Sequence, residues 1–266
     1  ELGLDKSAYR EQLAGLMSRF AEVAARNPYA MFEAPTTLEA IRDESQKNRM
    51  ISDPHLKSMV AKDGVNQAAA LVMTRYETAE SLGVADRAIF LHGHATGSEP
   101  AVLNRPSLAQ AESMTAAYHG ALRNAGIEAE QLGAMDLYSC FPIAVWCAMD
   151  ALGVSLDDPR PLTLTGGLSF FGGPGNNYST HGIAEMVHWL RARSEPSYGL
   201  VGANGGYLSK HAVGVYANVS SPFPERVNEP DFPTLVDTIE KPTGPGRIES
   251  YTCLLYTSDA ADEVDR

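Results

Sequence analysis

Two stretches of this sequence carry residue types that could do chemistry: a thiol just ahead of a helix, and a run of glycines leading into another helix. The run is GGLSFFGGPGNNYSTHG, Gly166 to Gly182, with six glycines, one proline and two asparagines. Behind it Ile183, Met186, Val187 and Leu190 repeat at the spacing of one apolar helix face. Ser179 or Thr180 can cap that helix, and His181 falls in its first turn. Free backbone N–H groups at a helix start suit an anionic or oxyanionic ligand. The plainer alternative is a tight turn whose glycines only supply positive φ angles. The thiol is Cys140, which precedes Phe141 and a helix opened by Pro142. A helix start favours thiolate over thiol, whereas a small buried residue at a strand end is the plainer reading.

Other candidates carry less. His92-Gly93-His94 could present two imidazoles on one strand face, but no third ligand is signalled nearby and the strand can end at Gly93. Loop histidines are the default, and no metal is expected. Cys140, Cys147 and Cys253 show no metal spacing and are too few for a disulfide framework, which fits a reducing cytosol. Cys147 reads as packing on a helix face. With 33 acidic against 21 basic residues the formal charge is −12, which argues against nucleic acid and anionic membrane surfaces as partners. No apolar run is long enough to span a bilayer. The chain opens without Met just before a helix, which reads as a fragment.

The elements that must position these residues follow from periodicity. Lys6 to Arg26 reads as a helix with Leu13, Leu16, Met17, Phe20 and Val23 on one face. Thr36-x-x-Glu39 is a capping box for a second helix. AAALVMT, Ala68 to Thr74, suits a buried strand, and a helix from Glu77 to Leu82 ends at Gly83. Next are a strand Arg87 to His92, a helix Ser107 to Ala125 closed by Gly126, and a strand Ala134 to Ser139. A helix Ile143 to Leu152, a strand Leu162 to Thr165 and the helix after the glycine run precede two strands, Tyr198 to Ala203 and Ala212 to Asn218. That order gives a layered α/β domain with helices on both faces of the sheet. Ser220 to Gly246 is Pro-rich and reads as a linker, and RIESYTC begins a strand of something further. LLYTSDAADE resembles translated adapter read-through and is set aside as a non-native tail.

Taken in order, these motifs resemble the thiolase superfamily, over roughly Asn27 to Asn218. NAGIEAEQLGAMDLYSCF stands where thiolases carry a strand and then NEAF, or HDCF in the sterol-carrier type, and Tyr138-Ser139-Cys140-Phe141 matches the latter. GGLSFFGGPGNN matches the GGxxxxGHPxGASG loop, and GANGGYLSKHA, Gly202 to Ala212, matches the CxGGG loop. The resemblance implies a thiolase-type α/β fold, a mixed sheet with helices on both faces and an incomplete N-terminal part. Residues 1–86 would be a loop region and the end of the N-terminal domain, and 87–219 the C-terminal domain. Residues 220–246 would be the linker, 247–253 the start of a truncated additional domain, and 254–266 the foreign tail.

The implied activity is acyl transfer on acetyl-CoA and acyl-CoA thioesters, with coenzyme A as substrate and no resident cofactor. The family uses an N-terminal cysteine nucleophile, a histidine base and a second cysteine as acid. Cys140 takes the second-cysteine position. The oxyanion and CoA loops carry over to Tyr138, Gly172, Gly173, Pro174, Asn176, Asn177, Asn204, Gly205 and Gly206. The departures are specific: Gly173 replaces the GHP histidine, the CxGGG cysteine is lost near Gly202, and Tyr138 replaces Asn or His. His181 or His211 could supply the base, or each could be a structural histidine. The nucleophile segment is not in the sequence, so this chain alone is expected to be inactive. A non-catalytic CoA or acyl-CoA binding protein is the alternative, as a homo-oligomer or beside a partner subunit.

Overall fold

The computed structural model describes residues 3–33, 37–220, 235–239, 241 and 243–247. The readings for 248–266 and for most of the linker lie outside these residues, as does Thr36. Helix α1 (Lys6–Ala24) starts where the Asp5 carboxylate accepts the Ala8 N–H at 2.8 Å. It buries Leu13, Leu16, Met17 and Phe20 completely, as their spacing predicts. Helix α2 (Leu38–Arg42) is capped by Thr37, whose hydroxyl accepts the Ala40 N–H at 3.2 Å, one residue later than the expected box. A small hairpin, β1 (Met50–Ser52) and β2 (His55–Leu56), and helix α3 (Tyr76–Ser81) follow.

Four strands make the central sheet, in the order β3 (Phe90–Ser98), β6 (Lys210–Ala217), β5 (Tyr198–Gly205), β4 (Leu132–Asp136). β6 is antiparallel to both β3 and β5, while β4 and β5 run parallel. The sheet is therefore mixed. On one face Met135, Leu200, Val213 and Val215 join a core built from α1, α4 (Glu112–Ala125) and α5 (Pro142–Leu152). On the other, Ala134 and Val201 pack on Met186 and Leu190 of α6 (Tyr178–Arg191). Alternate residues of β4 and β5 thus serve opposite layers, the period of two that a strand imposes.

Several expectations need correction. β3 does not end at Gly93 but runs to Ser98, because β6 pairs with it on both sides of an irregularity at His92, up to Ser98 opposite Lys210. Gly93 has a packing use: a Cβ there would lie 2.4 Å from the Ala125 nitrogen, so α4 rests directly on the strand backbone. α4 itself begins at Glu112 rather than Ser107, and Leu108 is exposed. Its start is held by Glu99, whose carboxylate accepts the Ser113 and Met114 N–H groups. Ala68 to Thr74 is no strand. Among the described residues it has no ladder partner, and Val72 is 97% exposed. An apolar run becomes a buried strand only where neighbours cover it. Leu162 to Thr165 is also outside the sheet, for a reason that belongs to the site. α6 begins at Tyr178, which puts Ser179 and Thr180 inside the helix, and no side chain caps it. Among the described residues no helix is long and apolar enough to cross a membrane.

Candidate functional site

The site grows from the C-terminal end of β4, around a carboxylate that pattern reading passed over. Asp136 is fully buried. Its Oδ2 accepts the N–H groups of Leu164 (2.8 Å) and Thr165 (2.9 Å) and the hydroxyls of Thr163 and Thr165 (both 3.1 Å). Its Oδ1 accepts the Tyr178 hydroxyl at 3.2 Å. Burial pushes its pKa up and these donors pull it back. This is why Leu162 to Thr165 leaves the sheet. Met135 and Leu137 still donate to the Pro161 and Leu162 carbonyls, but the next amides turn to the carboxylate instead of a strand. An acid inside the apolar run AMDL, with two threonines in LTLT to receive it, was the sequence signal.

β4 then hands over to Tyr138, Ser139 and Cys140. The Ser139 hydroxyl accepts the Leu168 N–H at 3.0 Å, and the Cys140 carbonyl accepts the Ala61 N–H at 2.9 Å. Tyr138 and Cys140 pack on a cluster of Leu168, Phe171 and Tyr178. Tyr138 meets Tyr178 edge-on with ring centroids 5.5 Å apart. Pro142 does open α5, as expected. The inference that this makes Cys140 a thiolate fails. Burial pushes its thiol up to about 11, outweighing the hydrogen bonds from the Phe141 and Cys140 N–H groups. Cys147 is also pushed up to about 11, by burial with the charge of Asp150 adding to it.

The glycine stretch packs against the chain's own segments. Gly166, at φ +107°, has Ala24 of α1 so close that a Cβ would lie 2.4 Å from the alanine methyl. Gly172, at φ +130°, abuts Gln67, whose side-chain amide donates to the Tyr29 and Phe171 carbonyls. Gly173, where the resemblance expects a histidine, donates its N–H to the Lys62 carbonyl at 2.7 Å, so this amide is already committed. Pro174 leads into a single turn, Gly175–Asn177, in which the Asn177 N–H donates to the Pro174 carbonyl at 3.0 Å. The Asn177 side chain reaches the Ala69 carbonyl at 3.5 Å, and Asn176 occupies the middle of the turn.

The two histidines part company. His181 is buried in α6 with its ring edge-on to Phe171, centroids 5.2 Å apart, and its Nε2 has no hydrogen-bond partner among the described residues. Burial lowers its pKa. Through Phe171 and Tyr178 it belongs to the same cluster as Tyr138 and Cys140. His211 sits on β6 opposite Asn204, with Nδ1 at 3.0 Å from the asparagine oxygen and Nε2 at 3.8 Å from Glu99 Oε1. Burial, aided by the charge of Arg105, brings it down to about 4. His211, Asn204 and the turn at Gly205 and Gly206 therefore form a second polar group, in which Glu99 was not foreseen. Among the described residues, no group of three His, Cys, Asp or Glu is gathered to hold a metal ion.

No family model and no curated protein matches the sequence. A solved structure does. It is a monomeric SCP2-thiolase like protein type 1 from Mycobacterium smegmatis, with 44% identity and a TM-score of 0.81. The match covers 86% of this chain and 50% of that one. The chain belongs to the thiolase superfamily, among its sterol-carrier-type, thiolase-like proteins. It spans half the length of this relative.

Proposed function

We propose that the chain contributes to acyl transfer of thiolase type on acetyl-CoA and related acyl-CoA thioesters, with Cys140 as the acid. The observation that carries this is a largely buried thiol at the strand-to-helix turn, in one cluster with an imidazole whose Nε2 has no hydrogen-bond partner among the described residues. An acid must keep its proton until the leaving group needs it; in thiolysis of a 3-oxoacyl thioester that group is the enolate of the shorter thioester, a far stronger base than a thiolate, to which even a thiol pushed up to about 11 can give its proton. His181, held neutral by burial, is able to accept a proton. The nucleophile that takes the acyl group has to come from the N-terminal half that thiolases carry.

A second reading, a CoA or acyl-CoA binder without turnover, draws on Gly173. The base is absent there and the amide is spent on Lys62. Acetoacetyl-CoA thiolysis, assayed with the N-terminal half supplied, separates the two. Turnover that falls at least about a hundredfold in Cys140→Ala, with CoA binding kept, supports the acid role. Binding without turnover leaves the second reading, and no binding by calorimetry ends both.

A further inference from the structure

Lys62 lies between the two motifs of the site without belonging to either. Its neighbour Ala61 donates to the Cys140 carbonyl, while its own N–H donates to Leu168 and its carbonyl accepts from Gly173. A Cβ at position 173 would stand 3.1 Å from that carbonyl, so a side chain there would press on the Lys62 backbone. The side chain is half-buried. Its Nζ stands over two aromatic faces, 5.0 Å from the Phe32 centroid and 5.5 Å from that of Phe170. Among the described residues no carboxylate pairs with it. The rings favour the ammonium, whereas loss of water disfavours it. An amine held this way is the desolvated lysine that acts as a nucleophile.

We propose that Lys62 is an acyl-accepting site, whose Nζ takes the acyl group of a thioester and keeps it as an amide. The neutral amine attacks the thioester carbonyl, the carbon–sulfur bond breaks, and the thiol leaves with the amine's proton. No redox partner is needed. Burial, with the charge of Lys57 adding to it, brings the ammonium down to about 8, which leaves a usable neutral fraction near neutral pH. The donor class rests on the function proposed above, but the step itself needs only Nζ and a thioester.

The test is to treat the 266-residue chain near neutral pH with acetyl-CoA and, separately, with S-acetyl-N-acetylcysteamine, and to map acetyl-lysine by mass spectrometry. Lys62 should be marked at least about ten times faster than the exposed Lys47 and Lys210, and the preference should vanish in urea. Lys62→Arg should remove this mark alone, with circular dichroism confirming that the variant folds. Marking by the small thioester but not by acetyl-CoA upholds Lys62 and counts against the CoA reading. Marking by neither, or at the rate of Lys47 and Lys210, overturns the proposal and leaves a lysine that only packs on two rings.

Discussion

His211 and Asp136 show how burial sets what a single residue can do. The folded His211 titrates at about 4, below an unfolded histidine near 6.5. Between those values the unfolded chain binds more protons, so stability falls as pH drops from about 6.5 through 4. That component is on the order of 3 kcal/mol and is fully present above about 6.5. His211→Gln should keep a partner for Asn204 and flatten the fall, read by urea denaturation at several pH values; an unchanged slope would refute the assignment. Asp136 organises a region by holding five donors around one buried carboxylate. Asp136→Ala leaves the Leu164 and Thr165 amides without their buried acceptor and takes the shared acceptor from the Thr163, Thr165 and Tyr178 hydroxyls, which keep one another. It should cost roughly 3–5 kcal/mol, and a loss below about 1 would show that the network is dispensable.

At the scale of elements, the test falls on the contact of α4 with β3. Gly93→Ala puts a methyl into the backbone of Ala121 and Ala125, so the helix must lift from the strand. A loss of about 2–3 kcal/mol is expected, seen as a melting midpoint lower by roughly 5–10 °C. An unchanged midpoint would mean that the two elements are less closely seated. This same glycine marks the limit of reading the sequence. α1 and α6 were legible because their apolar stripes repeat at helical spacing, α5 because Pro142 opens it and Gly153 closes it, and β5 and β6 because they frame the turn at Asn204. β3 was cut short because Gly93 looks like a terminator locally, and only its pairing with β6 carries it on. Ala68 to Thr74 misled in the opposite sense, since apolar composition does not supply a neighbouring strand. Cys140 was found by its motif and misjudged in its protonation, because Leu168, Phe171 and Tyr178 bury it from distant parts of the chain.

The whole molecule is a mixed sheet between helical layers, and the thiolase-like membership accounts for that architecture and for the order of the motifs. Beside that likeness stand Gly173 and Tyr138, two positions where the resemblance leads one to expect other residues. What remains is a thiol whose state is set by the assembly around it: the end of β4, the segment at Ala61, the glycine stretch and α6 all close on Cys140. The acid role stands or falls on that thiol keeping its proton. The direct measurement is the pH dependence of iodoacetamide labelling at Cys140, resolved from Cys147 by peptide mapping. A buried thiol should give a rate still rising well above pH 9, toward an inflection near 11, and at neutral pH at least about tenfold slower labelling than in the denatured chain. An inflection at or below about 8.5 would show an activated thiolate and contradict the assignment of Cys140 as the acid.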